Sequence, residues 1–402
     1  MYDVIVVGAR CSGSPTAMLL ARKGYKVLLV DKATFPSDTL STHILWPQGA
    51  ELLDRWGLLD DLAATGLPAI CKPLTFDVGP FALVGTIPGV NAGRGGYCPR
   101  RTVLDALLVK AAVASGAELR EGFRVEELVF TGDAVAGVRG RSKGGKLVEE
   151  RARLVIGADG IHSVVARAVK APEYDQLPVA ACAYWSYFSG IDQADAELYV
   201  RDACAFGVVP TNDGLHMLMV NWPAGTFPAV RADVEGHVQR ALAQAPAIAA
   251  RIHDAQRVET WYGTAGVPTY FRTPYGNGWA LVGDAGYNRD PVTAQGMSDA
   301  FLDASLLVEA LDRGLSGRGD LTAALAAHEA ARNARVGPMC HFAYELAQFE
   351  PPPPPMQALF QALHGDQAGT NAFLSAITGA TPIAEFMAPE NLERYVGADK
   401  VA

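Results

Sequence analysis

The stretch Gly8-Ala9-Arg10-Cys11-Ser12-Gly13 lies between two segments of different periodicity. Before it, Tyr2-Asp3-Val4-Ile5-Val6-Val7 reads as a buried parallel strand; after it, Ser14 to Gly24 carries the apolar spacing of a helix. A glycine turn at such a junction aims backbone N–H groups and the positive end of the helix dipole at a pyrophosphate. A second apolar strand, Val27-Leu28-Leu29-Val30, ends in Asp31, whose carboxylate can accept hydrogen bonds from both hydroxyls of an adenosine ribose. Gly8, Gly13 and Asp31 together complete a βαβ nucleotide fingerprint.

Two further signatures follow in the same style. Strand Leu154-Val155-Ile156 feeds Gly157-Ala158-Asp159-Gly160, and strand Trp279-Ala280-Leu281-Val282 feeds Gly283-Asp284. One glycine loop is weak evidence, but three in this order across 402 residues point to one extended dinucleotide, FAD, bound non-covalently. The departure is Arg10, which occupies the second glycine of G-x-G-x-x-G. Its side chain cannot tuck under the phosphates, so the guanidinium is expected to face the pyrophosphate. The competing reading is a solvated residue at a helix start, with backbone alone holding the phosphates.

A formal charge of −9 sets nucleic acid aside as a partner, because phosphate binding needs a basic face. Six cysteines, Cys11, Cys71, Cys98, Cys182, Cys204 and Cys340, show no C-x-x-C and no metal spacing, so no metal is expected. They read as small buried hydrophobes in a reducing compartment. No apolar run approaches membrane-spanning length, and the chain enters a nucleotide-binding strand directly, so the expected location is cytoplasmic with no membrane partner. The expected assembly is a monomer or homodimer.

The chain organisation predicts an α/β fold: a Rossmann-like FAD-binding domain, an inserted, mainly antiparallel β-sheet substrate domain, and a helical C-terminal tail. Residues 1–74, 98–176 and 275–349 are assigned to the FAD domain, 75–97 to a hairpin of the substrate domain, 177–274 to its aromatic-rich alternating strands and 350–402 to the tail. One helix, from about Asp233 to His253, is expected to interrupt those strands. Pro351 to Pro355 should form a stiff extended connector.

The combined motifs resemble the FAD-dependent aromatic hydroxylases, the p-hydroxybenzoate hydroxylase-like flavoprotein monooxygenases, in a less characterised branch. The likeness covers roughly the first 345 residues. It implies that Asp159 and Gly160 sit beside the FAD pyrophosphate, that Gly283 and Asp284 fix the ribityl chain, and that Arg101 contacts a phosphate. Asp290-Pro291-Val292-Thr293-Ala294-Gln295-Gly296-Met297 is similar to the family's P-x-x-G-Q-G segment, with Ala294 replacing a glycine. Its N–H groups, at the start of a helix, would face the flavin N1 and C2 carbonyl and stabilise the reduced ring. Pro291, Gln295, Gly296 and Met297 are therefore assigned to the cofactor. Tyr287 stands where a histidine is frequent, and no proton role is transferred to it.

The same resemblance implies a hydroxylation that uses NAD(P)H and O2 through a C4a-hydroperoxyflavin, on a small aromatic or planar hydrophobic substrate. His43, in a loop the family places near the flavin, is a proton-relay candidate, and Pro291 is the other catalytic candidate. Tyr187, His216 and Tyr270 are candidate substrate-lining residues. No second glycine loop follows a strand elsewhere, so the nicotinamide donor binds transiently in a groove or electrons arrive from a separate flavin reductase. A flavin-dependent double-bond reductase of the geranylgeranyl reductase kind fits the same motifs and would want a long apolar tunnel. A halogenase would show W-x-W-x-I-P, which Tyr184-Trp185-Ser186-Tyr187-Phe188 does not match.

Overall fold

The computed structural model describes residues 1–39, 41–70, 73–87, 95–192 and 196–397. Its first sheet carries the three signatures. Tyr2–Val7, Val27–Val30, Leu147–Gly157 and Trp279–Leu281 are parallel neighbours, and where they meet at Val4–Val7, Val27–Val30, residues 154–157 and Trp279–Leu281 they are buried on both faces, as apolar runs require. Register makes them finish level: Val7 lies opposite both Val30 and Gly157, and Gly157 opposite Leu281. Every signature turn therefore leaves the same edge of the sheet, the carboxyl edge at which open α/β folds bind ligands.

The sheet is closed on one side by the helices Gly13–Arg22, Arg101–Ala114 and Gly296–Leu315, which share its main apolar core. On the other side, Arg124–Thr131 and Ala134–Arg141 fold back antiparallel onto Leu147–Gly157.

The second sheet is mainly antiparallel. Ala181–Ser189, His216–Pro223, Cys204–Pro210 and Glu197–Arg201 follow one another, and the hairpin Leu74–Asp77 with Ala82–Gly85 joins at the edge. One face, with Tyr184, Phe188, Leu218 and Val220, packs on Val234–Leu242 and Pro246–His253. The single helix expected from about Asp233 to His253 is in fact two, Val234–Leu242 and Pro246–His253, the second beginning at a proline that cannot continue its predecessor, and Phe227–Ala232 precedes them.

The helical C-terminal tail packs on the opposite face of that sheet. Pro354–His364 and Gln367–Ile377 pack Phe360, Phe373 and Leu374 into one core with Phe76, Trp185, Tyr187 and Met217. The proline run is extended only as far as Pro353; Pro354 and Pro355 enter the first helical turn, where a missing N–H costs nothing. Among the described residues, no helix is long and apolar enough to cross a membrane, and no His, Cys, Asp or Glu group could hold a metal. The cysteines 11, 98, 182, 204 and 340 are free and buried; Cys71 lies outside the described residues.

Candidate active site

The three turns interlock, and glycine is what allows it. Gly8 has φ +103°, and a Cβ there would lie 2.3 Å from the Ala158 carbonyl oxygen. A Cβ on Gly13 would lie 1.7 Å from the Gly8 oxygen, and one on Gly283, at φ +61°, would lie 2.8 Å from the Ser12 Cβ. Backbone bonds stitch the same edge: Ala158 N donates to Val7 O at 2.8 Å and Val282 N to Gly157 O at 2.9 Å.

Beside this edge lies a cavity of about 920 Å³, bordered by all three signatures and by the sheet residues Ala181, Ala183, Trp185, Met219 and Asn221. Asp31 borders one end. Its Oδ2 accepts from Ala9 N and its Oδ1 from Ala33 N, each at 2.7 Å. Both oxygens keep a lone pair for a ribose hydroxyl.

Arg10 also borders the cavity, but its guanidinium is already bonded. It pairs with Asp105 at 2.7 Å, donates to the Ser37 hydroxyl and the Ser37 and Asp38 carbonyls, and lies over the Phe35 ring. It is neither a free phosphate clamp nor a solvated side chain, because Asp105 on Arg101–Ala114 offers a carboxylate at the turn.

Arg101 grips the same carboxylate through Nε and Nη2 at 3.1 and 3.0 Å, one helical turn apart. Two guanidinium groups on one carboxylate leave a surplus positive charge beside the first N–H groups of Gly13–Arg22. Asp105 is fully buried and was missed from sequence; the i, i+4 spacing of Arg101 and Asp105 was the available signal.

Asp159 spends its carboxylate on its own turn, accepting from the Ser163 hydroxyl at 2.5 Å and Val164 N at 2.6 Å; burial nevertheless pushes its pKa up. Gly160 follows at φ +76°, with open space where a Cβ would point. Asp284 lies deep in the molecule with its side chain exposed to the cavity; burial raises its pKa to about 6 against the pull of Arg101.

The turn Pro291–Thr293 leads through Ala294, at φ 53°, into the helix Gly296–Leu315. The left-handed Ala294 explains why a glycine suits this position in the resembling motif. Gly296 is exposed into the cavity, no atom lies within 4 Å of where its Cβ would be, and the first helical N–H groups there lack intrahelical partners. Met297 borders the cavity too, as does Pro291. Gln295 borders it as well, with its side chain anchored at both ends: its Nε2 donates to Ile377 O and its Oε1 accepts from Arg289, both at 2.7 Å. Arg289 is in turn paired with Asp299.

The substrate-lining expectations need correction. Tyr270 borders a second cavity of about 180 Å³ and ties two signatures together, donating to Asp284 O at 2.8 Å and Ile161 O at 3.5 Å. Strand alternation puts His216 on the face of Leu218 and Val220, away from the cavity-lining Met219 and Asn221. Tyr187 shares the face of Ala181, Ala183 and Trp185 but lies one step beyond the lining. There its hydroxyl and His43 Nε2 share a hydrogen bond, with the Arg100 guanidinium 3.8 Å from its ring centroid. His43 is buried, and burial with Arg101 and Arg100 lowers its pKa to about 3, so it is a neutral imidazole.

These features fit FAD: an acid at the ribose end, excess positive charge and helix N–H groups at the phosphates, and an open glycine with a second helix start at the far end. The model for the FAD binding domain family matches residues 1–343. The digeranylgeranylglycerophospholipid reductase of Methanosarcina mazei is 30% identical over 342 residues, spanning 80% of this chain and 77% of its own. The chondrochloren halogenase CndH, from a myxobacterium, has a TM-score of 0.79 at 23% identity, over 94% of this chain and 92% of that one. PqsL of Pseudomonas aeruginosa, described as a probable FAD-dependent monooxygenase, has a TM-score of 0.71 at 23% identity, over 93% and 99%. At such identities the two structures speak to the fold, while the span of the family model decides membership: the chain is a flavin-dependent oxidoreductase of the FAD binding domain family.

Proposed function

We propose that this protein is a monooxygenase that takes electrons from NAD(P)H and transfers oxygen from O2 to a small aromatic or similarly planar apolar substrate. The observation that carries this reading is how the cavity wall ends. Ala181, Ala183 and Trp185 offer a shallow apolar surface, but the next residue on that face is Tyr187, covered by Arg100 and hydrogen-bonded to His43. Arg100 is itself paired with Glu259 at 2.8 Å. A charged and hydrogen-bonded plug at this position suits a compact pocket, whereas an isoprenoid chain wants an apolar passage.

Bound FAD supplies the redox chemistry. The chain's own contribution is orientation and charge: Asp31 at the ribose, Arg101 with Asp105 at the phosphates, Asp159 ordering the turn beside them, and the first N–H groups of Gly296–Leu315 favouring negative charge on the ring. The second reading, reduction of isoprenoid double bonds, is favoured by the 30% identity to the Methanosarcina mazei enzyme.

The test is anaerobic reduction of the FAD-loaded protein by NADH and NADPH, with and without a panel of aromatic compounds and prenols, followed by isotope-labelled O2. Label in an aromatic product supports the monooxygenase. Saturation of a prenol without label in any product overturns it, and reduction only by an added flavin reductase moves the electron source to a partner.

A further inference from the structure

The wall that the second sheet turns to the cavity is built from small and apolar side chains around an amide that no assignment above uses. Ala181, Ala183, Trp185, Met219 and Asn221 border the cavity, and register sets Asn221 between two alanines, Ala183 on one neighbouring strand and Ala205 on the other. Residues directly opposite each other share a face, so side chains that end at Cβ flank the amide on both strands. Beyond them, Ala205 packs with Ala347 and Phe349, which extends the apolar setting. Asn221 itself is buried, 8% exposed.

The bonding capacity of that amide is mostly unspent. Its Nδ2 makes one long donation, to Ala205 O at 3.4 Å, and its Oδ1 accepts nothing among the described residues, yet is not sealed off. The donation fixes which way the amide faces, since the flipped form would set Oδ1 against the Ala205 oxygen. One N–H and the C=O therefore remain available together on an otherwise apolar surface. Thr264, on the strand at the other side of Ala183 and also on this wall, has its hydroxyl oxygen engaged by Gly266 N at 3.1 Å. A planar ligand that lies on Ala181 and Ala183 strips water from the Asn221 amide, and must either replace the bonds that water made or leave the amide bare.

Building on the monooxygenase reading, we infer that Asn221 selects the substrate: its C=O accepts from the N–H, and its N–H donates to the C=O, of a cis amide on the ligand. The substrate class is thereby narrowed to planar aromatic compounds that carry a lactam or a primary carboxamide. The match consists of two parallel hydrogen bonds in one plane, the arrangement by which an Asn side chain reads the donor and acceptor of an adenine edge. It needs no charge and moves no proton. An apolar pocket by itself ranks ligands by how poorly water holds them. A buried amide reverses that ranking, because it rejects the analogue that leaves it unpaired.

The experiment compares 2-quinolone with coumarin, and benzamide with acetophenone, as ligands of the FAD-loaded protein, with affinity read from perturbation of the flavin absorbance. The members of each pair share shape and carbonyl, and only the first has the N–H. That first member, although the more polar, should bind at least about tenfold tighter. In Asn221→Leu the order should reverse, and in Asn221→Ala, which serves if the branched side chain is not accommodated, the preference should vanish. A residue that only ties its strand to the Ala205 carbonyl would leave the preference unchanged on substitution. Equal affinity within each pair for the unsubstituted protein, weak or strong, or a preference that survives the substitutions, overturns the assignment. Label transfer from O2 without such a preference sinks the role of Asn221 alone; a preference without oxygen transfer sinks the monooxygenase reading alone.

Discussion

At the residue scale the site is organised by a carboxylate that the motifs do not mention. Asp105 satisfies Arg10, Arg101 and the Cys11 thiol at once, and its burial makes each of those contacts depend on it. Removing one partner from a buried ionic group leaves the others uncompensated, at a cost of about 3–5 kcal/mol. Asp105→Ala is therefore expected to lower the stability of the flavin-free protein by about 3 kcal/mol or more, as read from urea unfolding. A smaller loss is expected when FAD is bound, because its phosphates supply replacement negative charge. Equal losses in the two forms would remove the phosphates from the neighbourhood of Arg10 and Arg101. Arg10 itself shows where motif reading stops. Its place in the glycine pattern was legible, but the partner that captures it comes from a helix nearly a hundred positions away.

At the element scale the three glycine turns differ in what they ask of glycine. Gly160 needs it only for backbone conformation, so Gly160→Ala should cost about 1–2 kcal/mol. Gly8 needs it for conformation and for contact with the Ala158 carbonyl, so Gly8→Ala should cost about 1–3 kcal/mol more. Urea midpoints of the two variants should be clearly ordered; matching midpoints would mean that the first two turns do not support each other. The strands that feed these turns were legible because their apolar runs are unbroken, and the helix after Gln295 because its apolar spacing is regular. The level finish of the strands was not legible, since register is set by pairing between segments far apart in sequence.

For the whole molecule, the C-terminal helices are a structural part of the cofactor turn. Gln295 Nε2 reaches Ile377 O and Gln48 Nε2 reaches Thr378 O, both at 2.7 Å, and Phe360 and Phe373 fill the core beneath Trp185 and Tyr187. A chain truncated after Phe349 should expose that core and lose its grip on Gln295. The expected outcome is aggregation on size-exclusion chromatography and a low flavin-to-protein absorbance ratio, and a monodisperse variant with full flavin would show that the helices are dispensable. The sequence by itself determined the α/β class, the order of the three signatures and the cofactor they suit, because strand, turn and helix starts are local patterns of apolar spacing and glycine. Only the tertiary structure decided that Arg10 belongs to Asp105 and that Tyr270 and His216 stand off the main cavity. Those facts depend on which distant side chain arrives within hydrogen-bond reach and on how much water burial removes, and neither quantity is written in any one segment.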